Sequence, residues 1–598
     1  MERAHKVKKA LTKERRVLRA HVIESLLERF SAGERLILYG LSIILALSTL
    51  AIISQVNGLV SVTTPVSGGT IVEGEVGPAR FLNPLLTLSG PDEDITQLVY
   101  SGLMRARPDG SYVPDLASSY EISSDGTTYT FHIRPEATFH DGTALTAADV
   151  LFTISLAQNP DIHSPRQADW VGVQISSPDE YTVQFKLPHP YAPFMENSTM
   201  GILPKHLWSN VSAEEFPFSP LNTRPVGSGP YRVSNFSTDS TGSATRYDLE
   251  PFSDFTLGKP YLKRISFVFY ANEADLIKAF NDGRIDAVAG ISPEDLALIK
   301  RTDVNIAAVA LPRTFGVFFN QNHAPVLADA SVRAALAAAI DKNEIVRDVL
   351  KEFGTALEGP VPPGVLDGMA PVTPSEFSEA KAQGSIPDEG APGKDELSEA
   401  RTILEKGGWK YDEDTNSWSK SNQTLSFTLA TADEPTLKAT ADKLAERWKA
   451  LGVQVSVQVY ALSEFNTNIL RPRTYDAILF GEVVGRSLDL FAFWHSSQRN
   501  DPGLNLAMYT NSHADSLLSE ARAETTASAR NKLYAEFSSL IKKDNPAIFL
   551  YAPKFIYLVP RSLHGVELGV FTSPSERFLN AHQWYTDTAR VWNIFSNQ

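Results

Sequence analysis

The sequence predicts an α/β protein with two or more lobes: a mixed α+β first half and a doubly wound α/β second half, preceded by one transmembrane helix. The chain has 598 residues, which is too long for a single hydrophobic core. Strands and helices alternate in the second half, as in sheets whose parallel strands are joined by helical crossovers. Near the N-terminus lies an apolar run of 19 residues, and a bilayer core needs about 20.

The apolar run extends from Leu36 to Ser54 and contains no charged residue. A buried core helix is one alternative, but such helices rarely lack charges over this length. A cleaved signal peptide is another; its apolar region usually spans ~7–15 residues and precedes a small-x-small cleavage site. The flanking residues 55–58 offer no such site. We therefore expect an uncleaved signal anchor.

Charge is distributed unevenly about this run. Residues 1–35 carry ten Lys and Arg against five Glu, whereas the remainder of the chain is net negative by 20. The positive-inside rule places residues 1–35 in the cytoplasm and the chain after residue 55 outside, as a single-pass protein of the cell membrane. The acidic body argues against nucleic-acid binding, which requires a basic face.

The basic arm has a helical apolar stripe, formed by Leu18, Val22, Leu26 and Phe30. Such a helix can lie on the anionic inner leaflet or contact another membrane protein; a solvated helix leading into the span is an equal alternative. After the span, residues 55–69 are small and polar, which is typical of a linker.

The first half alternates strands with Gly, Pro and Asp turns. Residues Tyr129–Arg134 and Tyr181–Leu187 alternate apolar and polar positions, which predicts two strands. Between them, Thr146 to Leu156 is predicted to be a helix, with Thr146 as N-cap and Asp149 at the third helical position.

The second half predicts a parallel sheet. Two helices fill Asp329 to Leu350, and residues 360–396, rich in Pro, Gly and acidic residues, predict a long surface loop. The following elements alternate with short connections, which means right-handed crossovers. They are a strand from Leu425 to Ala430, a helix from Thr436 to Ala450, a strand from Val453 to Tyr460, a further helix, and a strand from Tyr475 to Phe480.

Ligands of such sheets bind beyond the carboxyl ends of the strands. The loop after Phe480 therefore supplies our candidate ligand-binding residues: Glu482, Arg486, Asp489 and Trp494. An acid can hold a cationic group, Arg486 can pair bidentately with a carboxylate, and Trp494 can form a flat apolar wall. Two alternatives stay open: Arg486 and Asp489 could pair with each other at the rim, and Trp494 could belong to the lobe core.

No catalytic or cofactor motif is found. The chain lacks G-x-S-x-G, P-loop, G-x-G-x-x-G and H-E-x-x-H sequences, and it contains no cysteine. The S-x-x-K matches at 417–420 and 539–542 lack their partner motifs. Residues 412–423 imitate a calcium loop but lack its Gly and its final Glu. We therefore expect no catalytic residues, no metal and no cofactor.

Several ordered motifs resemble one family. They include VYSGLMRARPDGSYVPDLASSYEISSDGTTYTFHIRPEATFHDGTALTAADVLFTI (99–154), PVGSGPY (225–231), FNDGRID (280–286), DASVR (329–333), AID (339–341), GPVPP (359–363) and the late Asn505, Tyr509 and Asn511. In this order they resemble family 5 extracellular solute-binding proteins, the oligopeptide-, dipeptide- and nickel-binding receptors of ABC importers.

The resemblance implies a periplasmic-binding-protein-like fold of two lobes that close on a ligand through two hinge strands, near 308–319 and 552–560. The implied domains are 70–311 as lobe I with an inserted subdomain, 312–556 as lobe II and 557–598 as a return to lobe I. It implies a monomer that captures a peptide or similar solute for an ABC permease, without catalysis. A ligand-sensing or scaffold receptor with the same fold is the alternative.

The sequence departs from the family in two respects. It has neither a lipobox cysteine nor a cleavage site, and the transmembrane run takes the place of both. Peptide receptors of the family hold the peptide ammonium with an Asp in the loop after the third strand of lobe II, where this chain has Val484. Glu482 and Asp489 are the nearest acids to that position.

Overall fold

The computed structural model describes residues 30–366, 372–376, 396–486, 488–570 and 572–592. These residues form two compact units. One comprises residues 30–66 together with 588–592, and the other comprises the described residues from Ser67 to Asp587. The predicted amphipathic stripe of residues 18–30 lies almost wholly outside the described residues.

The first unit contains the apolar helix, Ala32–Val60. Residues Ala32–Ile52 are long and apolar enough to cross a membrane, and none of that stretch is buried in protein. The helix continues into the segment expected to be a linker and is followed by strand β1, Ser61–Pro65. β1 pairs antiparallel with the last strand, β24, Thr588–Trp592. The β-branched residues of β1 favour a strand over the predicted linker.

The second unit is a mixed α/β body. Its helices are Gly90–Val99, Ala147–Gln158, Phe194–Asn197, Lys205–Trp208, Glu273–Asn281, Ala330–Ala338, Lys342–Asp348, Glu396–Lys406, Pro435–Leu451, Leu462–Glu464, Phe491–Trp494, Ser512–Ala523 and Ala527–Asp544.

The strands of the second unit are numbered β2 to β23. They are β2 Gly68–Val76, β3 Met104–Ala106, β4 Tyr112–Pro114, β5 Ala117–Ile122, β6 Thr128–Ile133, β7 Gln174–Asp179, β8 Thr182–Lys186, β9 Tyr231–Thr238, β10 Ala244–Pro251, β11 Leu262–Tyr270, β12 Ala287–Ala289, β13 Val304–Ala310, β14 Arg313–Phe319, β15 Gly354–Ala356, β16 Ser375–Glu376, β17 Lys410–Asp412, β18 Ser417–Lys420, β19 Gln423–Thr424, β20 Ser426–Ala432, β21 Gln454–Tyr460, β22 Ala477–Val483 and β23 Ala547–Pro560.

Lobe I is built on a sheet of order β16-β13-β23-β12-β2-β11-β10-β9, in which β2 runs parallel to β11 and β12. A second, antiparallel sheet of order β5-β6-β8-β7 carries the predicted strands of the first half. The helix Ala147–Gln158 packs beside it and begins with the expected capping box between Thr146 and Asp149. β16 reaches this lobe from the segment that was expected to be one long surface loop.

Lobe II is built on a sheet of order β21-β20-β22-β14-β23-β15. As predicted, β20 runs parallel to both β21 and β22. The helix Pro435–Leu451 connects β20 with β21 and ends at Gly452, whose φ of 97° and lack of a side chain suit a left-handed cap. β14, β23 and β15 are antiparallel to their neighbours, so the sheet is mixed.

In the described part of the chain, two strand connections pass between the sheets of the lobes, apart from the segment that carries β16. β13 pairs with the second half of β23 in lobe I, whereas β14 pairs with its first half in lobe II. The chain therefore crosses between lobes at 311–312 and again at 552–553, where the Leu311 amide donates to the Pro553 carbonyl over 3.0 Å. Both crossings lie inside the predicted hinge ranges. Each lobe has its own hydrophobic core, centred on residues such as Trp448 in lobe II and Trp208 in lobe I.

Candidate ligand-binding site

A cavity of about 600 Å³ lies between the lobes. This volume falls within the range of small-molecule binding sites. Lobe I supplies the helix Gly90–Val99, residues 196–201 and the return segment 572–576, while lobe II supplies Arg313 and Val483. The hinge-proximal ends of β14 and β22 therefore face a wall made by lobe I.

The cavity wall carries charges of both signs. Its cations are Arg105, Arg166 and Arg313, and its acids are Glu93, Asp115, Glu196 and Glu576. Two cations already have partners, because Arg105 pairs with Asp115 over 2.8 Å and Arg166 pairs with Asp169 over 3.1 Å.

Arg313 is the first residue of β14, opposite Val483 of β22. Residues directly opposite in an antiparallel pair share a sheet face, and both of these line the cavity. Within the described part of the chain, the side chain of Arg313 has no hydrogen-bond or ion-pair partner, and its Nε is buried. Burial lowers the pKa of the guanidinium, and Glu93 partly opposes that effect. Arg313 thus presents an unpaired cation to the cavity.

Glu93 lies in the first turn of the helix Gly90–Val99, in lobe I. Burial raises the pKa of its carboxyl, while Ser573, Arg166 and Arg313 favour the charged form. No ion pair joins Glu93 to either arginine in the described structure. The cavity therefore has an acid on one lobe and a cation on the other.

Arg486 lies at the interface of the lobes. Its guanidinium contacts Glu576 over 2.5 Å and donates to the Val570 carbonyl, and its backbone amide donates to the Thr572 hydroxyl. Burial raises the pKa of Glu576, although Arg486 opposes this effect. Arg486 also lines a second cavity of about 200 Å³ between the lobes. It does not pair with Asp489, one of the arrangements considered from the sequence.

Asp489 bridges the lobes at a different point. It accepts from Arg522 of lobe II over 2.6 Å and from the Tyr191 hydroxyl of lobe I over 3.3 Å. Nearby, the Ala192 amide donates to the Arg522 carbonyl. Asp489 therefore takes part in contacts between the lobes and does not line the larger cavity.

Glu482 is buried in β22, opposite Thr314. Neither of its carboxyl oxygens has a hydrogen-bond partner in the described structure. Burial alone raises its pKa well above the ordinary range, which favours the neutral acid. It does not line either of the two interlobe cavities.

Trp494 lies in the core of lobe II. Its ring packs against Phe318, Tyr509, Phe537 and Phe549, and only 1% of the residue is exposed. The structure thus places it in the position considered as the alternative. Of the four residues predicted from the sequence, only Arg486 lines an interlobe cavity. A role in ligand binding stays a prediction for all four.

The motifs of the first half stabilise the fold beside the cavity. The His140 backbone amide donates to the Gly227 carbonyl, and its ring lies 3.0 Å from the Gly229 carbonyl oxygen. A side chain at Gly227 would collide with the carbonyl of Val99, which ends the helix Gly90–Val99. We call this helix, which lines the cavity, the cavity helix. Burial lowers the pKa of His140 to about 4. The histidine is therefore a packing residue between two turns.

Sequence reasoning did not single out Arg313 or Glu93. Arg313 lies within the predicted hinge range of 308–319. A cation next to a hinge was the feature of the sequence that could have indicated a ligand-binding residue. Glu93 belongs to the acidic stretch PDED at a helix N-terminus, a pattern that helix capping alone explains. The described residues contain no group of three or more His, Cys, Asp or Glu arranged to hold a metal ion.

Comparisons with known proteins agree with this architecture. The chain is 26% identical over 532 residues to the oligopeptide-binding protein AppA of Bacillus subtilis, covering 87% of this chain and 92% of that protein. It is 25% identical over 527 residues to the probable D,D-dipeptide-binding periplasmic protein DdpA of Escherichia coli, covering 85% and 93% of the two chains.

Solved structures share the fold. The structure of B. subtilis AppA in complex with a nonapeptide has a TM-score of 0.64 at 26% identity and covers 88% of this chain and all of that one. The substrate-binding protein CtaP of Listeria monocytogenes has a TM-score of 0.70 at 24% identity, covering 87% and 99% of the two chains. This similarity supports the fold and not a particular solute. Residues 111–503 match the sequence profile described as bacterial extracellular solute-binding proteins, family 5 Middle. This profile covers more than half of the chain, and the chain therefore belongs to the family 5 bacterial extracellular solute-binding proteins.

Proposed function

We propose that this protein is a membrane-anchored receptor, acting as a monomer, that captures a peptide or similar oligomeric solute between its lobes and delivers it to an ABC permease. The observation that carries the proposal is the interlobe cavity, whose opposing walls present Glu93 and Arg313. A peptide with free termini bears one charge of each sign. The relative AppA holds a nonapeptide in its solved structure, which supports peptide as the class of solute.

The apolar helix supports the anchoring part of the proposal. Residues Ala32–Ile52 can span a bilayer, and ten basic residues in 1–35 favour a cytoplasmic N-terminus. The receptor body then faces the outside, where an extracellular solute-binding protein meets its solute. Without a lipid-modified cysteine, this helix is the feature of the sequence suited to keeping the receptor near a permease.

The residues predicted from the sequence have a supporting role in this proposal. Arg486 and Asp489 bridge the lobes, so they stabilise the arrangement that encloses a solute. Glu482 and Trp494 are buried within lobe II and line neither interlobe cavity. We assign the recognition of the solute's charged groups to side chains that line the larger cavity.

Native mass spectrometry of the full-length protein in detergent tests the capture of peptides. The protein is incubated with a synthetic pool of tri- to pentapeptides and with a matched pool of neutral oligosaccharides. We expect retention of peptides and no retention of sugars. Retention of sugars alone, or of no peptide at any concentration of the pool, would contradict the proposal.

Membrane fractionation tests the anchor. After alkaline carbonate extraction the protein should stay in the membrane pellet, because an apolar helix of this length inserts stably. Its N-terminal sequence should begin upstream of the helix. A mature N-terminus near residues 55–62, with release into the soluble fraction, would show a cleaved signal.

A further inference from the structure

Arg313 differs from the other arginines of the cavity in having no partner. Arg105 contacts Asp115, the Ser101 hydroxyl and the Leu579 carbonyl, and Arg166 contacts Asp169. Arg313 has no such contact to its guanidinium among the described residues, and its Nε is buried. A buried donor without an acceptor is unfavourable, so a ligand that supplied an acceptor would gain binding energy there.

The position of Arg313 also matters. It follows the crossing at 311–312 directly and begins β14, so it belongs to lobe II while facing a wall built by lobe I. Across the cavity, Glu93 comes from the first turn of a lobe I helix. Both side chains line the same cavity, and no ion pair joins them in the described structure. A molecule with a negative and a positive end would be complementary in charge to this pair.

We propose that Arg313 binds the carboxylate of a zwitterionic solute and that Glu93 binds its ammonium group, an inference that rests on the proposed capture of peptides. A guanidinium donates two parallel N–H bonds to a carboxylate, a geometry that a single-point cation does not reproduce. The protein supplies the Arg from one lobe and the Glu from the other, so a solute bound to both joins the lobes.

The test compares free peptides with their C-terminal amides. The full-length protein in detergent is incubated with an equimolar pool of tri- to pentapeptides, each present as the free acid and as the amide, and retained species are quantified by native mass spectrometry. We expect the parent to prefer the acids by about tenfold or more, since hydrogen bonds to charged groups are worth more than neutral ones. Arg313→Met should still retain peptides but reduce this preference to within about twofold.

Two matched variants control for position and fold. Arg232→Met removes a paired cation of lobe I that lies outside the cavity, and it should keep the preference for acids. Arg313→Met should unfold at the same temperature as the parent or higher, because it removes a cation without a partner. Arg105→Met should unfold at a lower temperature, because it leaves the buried Asp115 unpaired.

A corresponding experiment with N-terminally acetylated peptides tests the role of Glu93. With an equimolar pool of peptides with free and acetylated N-termini, the parent should prefer the free amines, and Glu93→Gln should lose that preference while keeping the preference for free acids.

The outcomes separate the inference from the proposed function. Peptides retained by the parent with equal affinity for acids and amides, or an acid preference that survives in Arg313→Met, would overturn the role of Arg313 and leave peptide capture standing. An unchanged amine preference in Glu93→Gln would overturn the role of Glu93. Retention of no peptide by the parent would overturn the proposed function and the inference with it.

Discussion

Glu482 is a carboxyl group buried in a central strand without a hydrogen-bond partner among the described residues. Its pKa is raised by burial above the ordinary value of 4.5. A group whose pKa is higher in the folded state binds protons more tightly there, so its stabilising contribution is present below the unfolded pKa. That contribution is lost as the pH rises through the folded pKa.

We predict that Glu482→Gln unfolds at a higher temperature than the parent at pH 8, by ~2 °C or more, and that the difference shrinks toward pH 4.5. The amide cannot ionise, so the variant escapes the loss that the parent suffers as the pH rises. Thermal unfolding followed by circular dichroism across this pH range measures the effect. Glu405→Gln, at an exposed helix position, is the control and should change little at either pH. A constant difference between parent and Glu482→Gln would contradict a buried titrating carboxyl.

The individual residues of the candidate ligand-binding site were only partly predictable from the sequence. The loop after β22 was predicted to supply ligand-binding residues, because ligands of parallel sheets bind beyond the carboxyl ends of the strands, and that role stays a prediction. Which of its side chains face a cavity depends on contacts with distant segments. Arg486 meets Glu576, and Asp489 meets Tyr191; no local pattern encodes a partner about 90 or 298 residues away.

The return segment of lobe I is fixed by one arginine. Arg577 contacts Glu73 and Glu75 of β2 over 3.0 and 2.8 Å, and Asp94 of the cavity helix over 2.5 Å. Burial raises the pKa of Glu73 to about 6, although Arg577 opposes that effect. The cluster holds the segment that carries Thr572 and Glu576 against the cavity.

We predict that Arg577→Met lowers the free energy of unfolding by about 3–5 kcal/mol, because it leaves several buried carboxyl groups without their cation. Urea unfolding provides the measurement. Arg284→Met, which removes an exposed pair with Asp282, should cost only about 0–1 kcal/mol. Equal unfolding midpoints for the two variants would mean that the cluster does not stabilise lobe I.

The pairing of β1 with β24 joins the apolar helix Ala32–Val60 to the last strand that the structure describes. The chain has no cysteine, so introduced cysteines report on this pairing without competition. Thr63 lies opposite Arg590 in the register, and residues opposite each other in a strand pair are close enough for a disulfide.

We predict that Thr63→Cys/Arg590→Cys forms an intramolecular disulfide under mild oxidation, seen as a mobility shift on a non-reducing gel. Thr63→Cys/Thr588→Cys is displaced by two residues and should oxidise far less. Equal oxidation of the two variants would contradict the register and favour the flexible linker expected from the sequence.

The prediction of elements succeeded where local signals were strong. The capping box at Thr146 and the left-handed Gly452 mark helix ends by chemistry that acts within a few residues. The alternating patterns of β6 and β8 were equally clear. The antiparallel placement of β14, β23 and β15 was not predictable, because the order of strands depends on pairings between residues far apart in the chain.

At the scale of the whole molecule, the hinge crossings and several polar bridges connect the lobes. The crossings lie at 311–312 and 552–553, close enough to share a backbone hydrogen bond. Arg486–Glu576 and Tyr191–Asp489 join the lobes away from the crossings. Hinge closure needs only a few residues to change φ and ψ, so a bound solute can shift the balance between open and closed lobes by its contacts with both.

The most direct test of capture between the lobes is the distance between spin labels on each lobe, with and without peptide. Tyr120→Cys in lobe I and Val459→Cys in lobe II use exposed strand positions, and the absence of native cysteine leaves the full-length protein otherwise unlabelled. Pulsed electron paramagnetic resonance should show a broad distance distribution without peptide and a shorter, narrower one at saturating peptide. An unchanged distribution, in a sample whose bound peptide is verified by native mass spectrometry, would contradict capture by lobe closure.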